Sequence, residues 1–142
     1  MKNGIALKLL EVQRELGAVK KGKQNPFFSS NYADINQYIS VLKPILNKVG
    51  LVLLQPLTMS DGSGATSIGL NTIVVDSETG EEINYKTDIY LKDTDPQKVG
   101  SAITYYRRYA LQSFFFVEAE DDDANKASGK VARKVTNDDL PF

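Results

Sequence analysis

From Leu51 onward the chain stops repeating its apolar residues at helical spacing and begins to alternate them, broken only by short polar turns. That change of period limits the middle of the chain to a small sheet. Residues 51–57 form a short apolar run, and Asp61-Gly62-Ser63-Gly64 makes a turn. Residues 65–76 form the next strand, Ser77-Glu78-Thr79-Gly80 the next turn. Residues 82–92 alternate most clearly: Ile83, Tyr85, Ile89 and Leu91 point one way, and Asn84, Lys86, Asp88 and Lys92 the other. Connections this short allow only antiparallel neighbours, so the segment reads as a three-stranded meander with one wet face. Three strands need helices to cover the apolar face.

The flanks supply them. Over residues 4–19, Ile5, Leu9, Val12 and Leu16 recur at spacings of three and four, while Lys8, Glu11, Arg14 and Glu15 fall on the other side. A second helix starts at Asp34, which stands at capping-box spacing from Gln37, and carries the stripe Ile35, Ile39, Leu42, Leu46 and Val49. Pro44 inside that stripe predicts a kink or short break, and Gly50 predicts the stop. Asp95-Pro96 opens a third helix that runs to about residue 115. The expected architecture is therefore α+β: two helices, then a three-stranded antiparallel β-meander followed by a long helix. Residues 1–117 make one domain, and residues 118–142 an acidic tail expected to be disordered, because it has too little apolar surface to offset its ordering entropy.

Composition narrows the chemistry. The 142 residues contain no cysteine and no histidine, which removes thiolate sites, disulfides and the commonest general base and metal ligand. No apolar run approaches the roughly 18 residues of a membrane span, and no apolar leader opens the chain, so the expectation is a protein of the bacterial host cytoplasm without a membrane partner. Charge is uneven: residues 1–117 hold 13 Lys and Arg against 11 Asp and Glu, residues 118–142 hold 4 against 7. A mildly basic body with an acidic tail points toward nucleic acid.

Two regions fit that direction. On the third helix Val99, Ile103, Tyr106, Ala110 and Phe114 share an arc that should meet the sheet, while Lys98, Ser101, Tyr105, Arg108 and Gln112 share another. The second arc mixes cations, a ring and hydrogen-bonding groups, as a phosphate-holding and base-stacking surface does, although a solvated helix face has the same pattern. Gly100, costly inside a helix, signals close approach of another backbone. The loop over residues 20–32, KKGKQNPFFSSNY, places Lys20, Lys21 and Lys23 before Phe27, Phe28 and Tyr32, cations beside rings that suit single-stranded nucleic acid. At least one of the two phenylalanines is expected to anchor the loop into the core instead. Asp121-Asp122-Asp123 reads as a solvated charge run, since consecutive residues do not converge on one ion. No glycine-rich loop of the phosphate-binding type precedes a helix, so ATP use has no support. No catalytic residue, metal or cofactor is assigned.

The stretch DPQKVGSAITYYRRYALQSFFFVEAEDDDAN, residues 95–125, resembles the signature of the Erf (essential recombination function) family of phage single-strand annealing proteins. NPFFSSNYADIN (residues 25–36) and LKPILNKVGLVLLQ (residues 42–55) match that family's order and spacing, so the likeness covers roughly residues 5–125. It implies a non-enzymatic protein that binds single-stranded DNA and pairs complementary strands without ATP, as a ring or filament of identical subunits around a β-β-β-α core. By that similarity Arg107, Arg108 and Tyr109 occupy the family's RRY positions, which does not tell which of them touch DNA; helical spacing turns Arg108 outward, toward phosphate, and Arg107 nearer the core face, where an acid or a neighbouring subunit is an alternative partner. The end of the sequence, Asn137-Asp138-Asp139-Leu140-Pro141-Phe142, resembles the acidic tip of bacterial single-stranded-DNA-binding proteins, which docks on replication and repair partners. The alternatives are a phage single-strand coating protein that recruits host factors through this tip and, from another class, a metal-dependent nuclease.

Overall fold

The computed structural model describes residues 4–21, 34–59 and 67–117. Three helices and an antiparallel sheet follow one another as α1 (Ile5–Lys21), α2 (Ile35–Lys48), β1 (Leu51–Leu54), β2 (Leu57–Met59), β3 (Ser67–Asp76), β4 (Glu82–Tyr90) and α3 (Pro96–Phe114). The mixed α+β class and the meander agree with the sequence pattern. The expected disorder of residues 118–142 and the loop carrying Lys23, Phe27, Phe28 and Tyr32 lie outside the described residues.

β1 and β2 lie end to end on one edge of β3, with β4 on the other. They are one strand interrupted, because Leu54 pairs with Ile73 and Leu57 with Leu70 in a single uninterrupted register. The interruption is Gln55-Pro56: proline has no N–H for the ladder, although its carbonyl still accepts from Asn71 N–H at 3.0 Å. Gln55 Nε2 donates to Thr72 Oγ1 at 3.1 Å and to the Arg107 carbonyl at 3.3 Å, which ties the break to α3.

The larger core joins α1, α2, β1, β3 and the end of α3 through residues such as Val12, Leu42, Leu46, Leu51, Val74 and Leu111. A smaller one seats Ala102 of α3 on Leu70 and Ile89. α3 therefore buries Ala102 and Leu111 most completely, with Ile103, Tyr106 and Ala110 only partly covered. On the helix side of β4 only Ile89 is buried; Ile83 and Tyr85 share its face by register but stay exposed, because α3 covers only one end of the strand. The outer face is not uniformly wet either, since Val52 and Leu54 pair there with Val75 and Ile73.

Four local expectations are decided. The capping box forms: Gln37 N–H donates to Asp34 Oδ1 at 2.9 Å, and Asp34 N–H to Gln37 Oε1 at 2.8 Å. α2 runs unbroken through Pro44, held by its buried stripe of Tyr38, Leu42, Ile45 and Leu46. Gly50 ends it in the left-handed region, φ 86°, where a side chain would be strained. At α3, Asp95 makes no side-chain cap; Asp93 does the tying, with Oδ1 accepting from Asp95 N–H at 2.9 Å and Oδ2 from Lys98 Nζ at 3.0 Å.

Lys8 is a clear correction. Expected on the solvent side of α1, it is buried, and its ammonium sits 2.7 Å from Asp76 Oδ1 and 3.3 Å from Glu78 Oε1. It stands three residues after Ile5 and four before Val12, so helix geometry puts it on the buried stripe, and Asp76 at the end of β3 supplies the countercharge. Asp76 is fully buried, and Glu78 N–H also donates to its Oδ1 at 2.9 Å. The Lys8 ammonium holds the Asp76 carboxyl below the ordinary range, against burial, which pushes it up.

Candidate nucleic-acid interface

The i, i+3 and i+4 neighbours Gln97, Gly100, Ser101, Thr104, Tyr105 and Arg108 form one wall of an open groove of about 580 Å³. The opposite wall is the start of α2, Asp34 and Ile35. Three of the residues singled out in the sequence, Ser101, Tyr105 and Arg108, are thus brought together. Gln97 and Thr104 were missed, although helical spacing from Ser101 and Arg108 would have found them.

The groove's far end is a stack. The Arg108 guanidinium carbon lies 5.3 Å from the ring centroid of Tyr105 and 5.0 Å from that of Tyr109. The two rings are 4.5 Å apart, tilted by 46°, and Tyr105 donates its hydroxyl to the Tyr109 hydroxyl at 3.1 Å. Each cation–π contact of this exposed kind is worth about 0.5–1 kcal/mol, which is enough to choose a rotamer. Burial, reinforced by that hydrogen bond, pushes the Tyr105 phenol up to about 12, so it stays neutral and able to donate at physiological pH. Behind the stack, burial also raises the phenol of Tyr38, opposed by the positive charge of Arg108. Stacking uses the face of the guanidinium and phosphate recognition its edge, so the two are compatible.

Among the described residues nothing lies within 4 Å of where a Gly100 Cβ would stand, so no described neighbour requires glycine there. Lys98 does not line the groove and pairs with Asp93 instead. Arg107 leaves on another side of α3, into a second groove of about 320 Å³ between α2 and β1. Lys20 and Lys21 end α1, with side chains outside the described residues, as are Lys23, Phe27, Phe28, Tyr32, Asp138, Asp139, Leu140, Pro141 and Phe142. Among the described residues no three acidic groups gather as a metal site would need, and no helix is long and apolar enough to cross a membrane. Asp121–Asp123 lie outside them.

The surface can do two things chemically: offer rings and a flat cation to stacked bases, and offer hydroxyl and amide groups to a sugar-phosphate chain. A family model, that of the ERF superfamily, matches residues 5–138. No curated protein and no solved structure matches the chain.

Proposed function

Because the chain belongs to the ERF superfamily, we propose that it is a single-stranded-DNA-binding, strand-annealing recombination protein of a phage or prophage, working without ATP. The observation that carries this reading is the Tyr105–Arg108–Tyr109 stack at the end of an open groove along α3. Annealing needs one strand held by its backbone, with base edges left for the complement; a stack that takes any base, beside sequence-blind phosphate contacts, suits that task. The body is only weakly basic, so a long strand is held by many subunits in a ring or filament, each adding a few contacts. Support for self-association comes from Val52 and Leu54, 41% and 47% exposed, which extend an apolar strip over the outer sheet face with Ile73 and Val75.

The protein is not an enzyme in this reading; pairing itself releases the free energy. Residues 118–142 form a separate acidic tail, and Asp138 to Phe142 recruit replication or repair proteins of the host or phage. The deciding experiment mixes complementary oligonucleotides with purified protein without nucleotide. Faster pairing supports annealing. Tight coating that slows pairing favours the recruiting single-strand coat instead, and magnesium-dependent loss of labelled strand would replace both with a nuclease.

A further inference from the structure

Arg107 and Arg108 are adjacent in sequence, yet α3 sends them into different grooves, and the two grooves differ in charge. The Arg108 groove has one cation and one carboxylate, Asp34, on its walls. Among the described residues the Arg107 groove has two cations, Lys43 from α2 and Arg107 from α3, two amide side chains, Asn47 and Gln55, and no carboxylate. Neither Lys43 nor Arg107 makes an ion pair among the described residues. Apolar walls such as Ile39 and Val52 complete it.

We propose that this groove between α2, β1 and α3 is a second seat for the sugar-phosphate backbone of single-stranded DNA, with Lys43 and Arg107 on phosphates and Asn47 on a phosphate or sugar oxygen. The inference rests on the single-strand reading above and adds to it a site on another side of α3. Two cations on low-dielectric walls concentrate the field that an anion meets, and no acid among the described lining residues cancels it. Arg107 has a planar fork for two phosphate oxygens, and Lys43 a point charge that tolerates a moving backbone. Gln55 is a positioning residue: its amide hydrogen bond to the Arg107 carbonyl fixes where that side chain leaves the helix. The groove therefore grips charge, while the Tyr105–Arg108–Tyr109 stack holds bases, so α3 contributes to two complementary surfaces.

The test measures fluorescence anisotropy of a labelled oligothymidine across a salt series, with wild type, Lys43→Gln, Arg107→Gln, the double variant, Lys43→Arg and Arg108→Gln, each checked for an unchanged melting transition. Lys43 is exposed on α2, so its variant keeps the fold even where that of Arg107 does not. The expected result is weaker binding, with the salt slope lowered by about 0.7 for each cation removed, and recovery in Lys43→Arg. Unchanged affinity and slope in Lys43→Gln, while Arg108→Gln binds more weakly, would overturn the second seat and leave the single-strand reading intact. Lost self-association with unchanged DNA binding would assign the groove to a neighbouring subunit and also overturn it. A wild type that binds no oligonucleotide sinks both.

Discussion

Arg108 answers to two rings at once, and its replacement separates their roles from that of its charge. Arg108→Ala should weaken binding of a single-stranded oligonucleotide and lower the salt slope by about 0.7, as read by anisotropy at several ionic strengths. Arg108→Lys restores the charge but not the flat stack on Tyr105 and Tyr109. Gly100 gives the opposite combination. With no described neighbour within 4 Å of its Cβ position, Gly100→Ala should stabilise α3 by about 1 kcal/mol in thermal unfolding, yet weaken DNA binding by adding a methyl to the groove wall. A variant that melts higher and binds equally well would show that no strand approaches there. Helical spacing alone was enough to group Ser101, Tyr105 and Arg108 on one side of α3 and to set Arg107 apart. It could not place Lys43 beside Arg107, because that meeting depends on how α2 crosses the sheet edge. Lys8 was misplaced for the same reason: its partner Asp76 is 68 positions away, and charge alone reads as solvent-facing.

Among the elements, α3 is held at both ends by different means. Ala102 sits on the sheet through Leu70 and Ile89, whereas Leu111 locks the C-terminal half into the three-helix core. Leu111→Ala should cost about 2–5 kcal/mol in urea unfolding by leaving a cavity at a fully buried position. α1 is tied to the β3–β4 turn by Lys8 and Asp76, and this link depends on pH. The Asp76 carboxyl titrates below its unfolded value, so its contribution is present above the ordinary aspartate range and disappears as the pH falls through the depressed value. Lys8 is raised, chiefly by its hydrogen bond to Asp76, so its contribution holds below the ordinary lysine range and is lost only in strong alkali. Asp76→Asn should therefore be less stable than wild type at neutral pH, with the gap closing under acid; a gap independent of pH would refute the link. The strand pattern was legible, alternation and turns included, but burial was not. Ile83 and Tyr85 share a face with Ile89 and stay exposed, because α3 covers only one end of β4.

For the whole molecule, one mixed layer of helices on a small sheet leaves apolar surface on both sides of that sheet, which a subunit array would cover. Removing Leu140, Pro141 and Phe142 should leave oligonucleotide affinity unchanged and abolish capture of a replication or repair partner. Loss of DNA binding instead would refute the recruiting role. The edge strand adds a mechanical consequence. It breaks at Gln55-Pro56 without slipping a rung, and the Gln55 side-chain amide reaches across to a carbonyl of α3, that of Arg107. A displacement of that margin of the sheet would therefore be felt at the backbone of Arg107 through this one side-chain hydrogen bond.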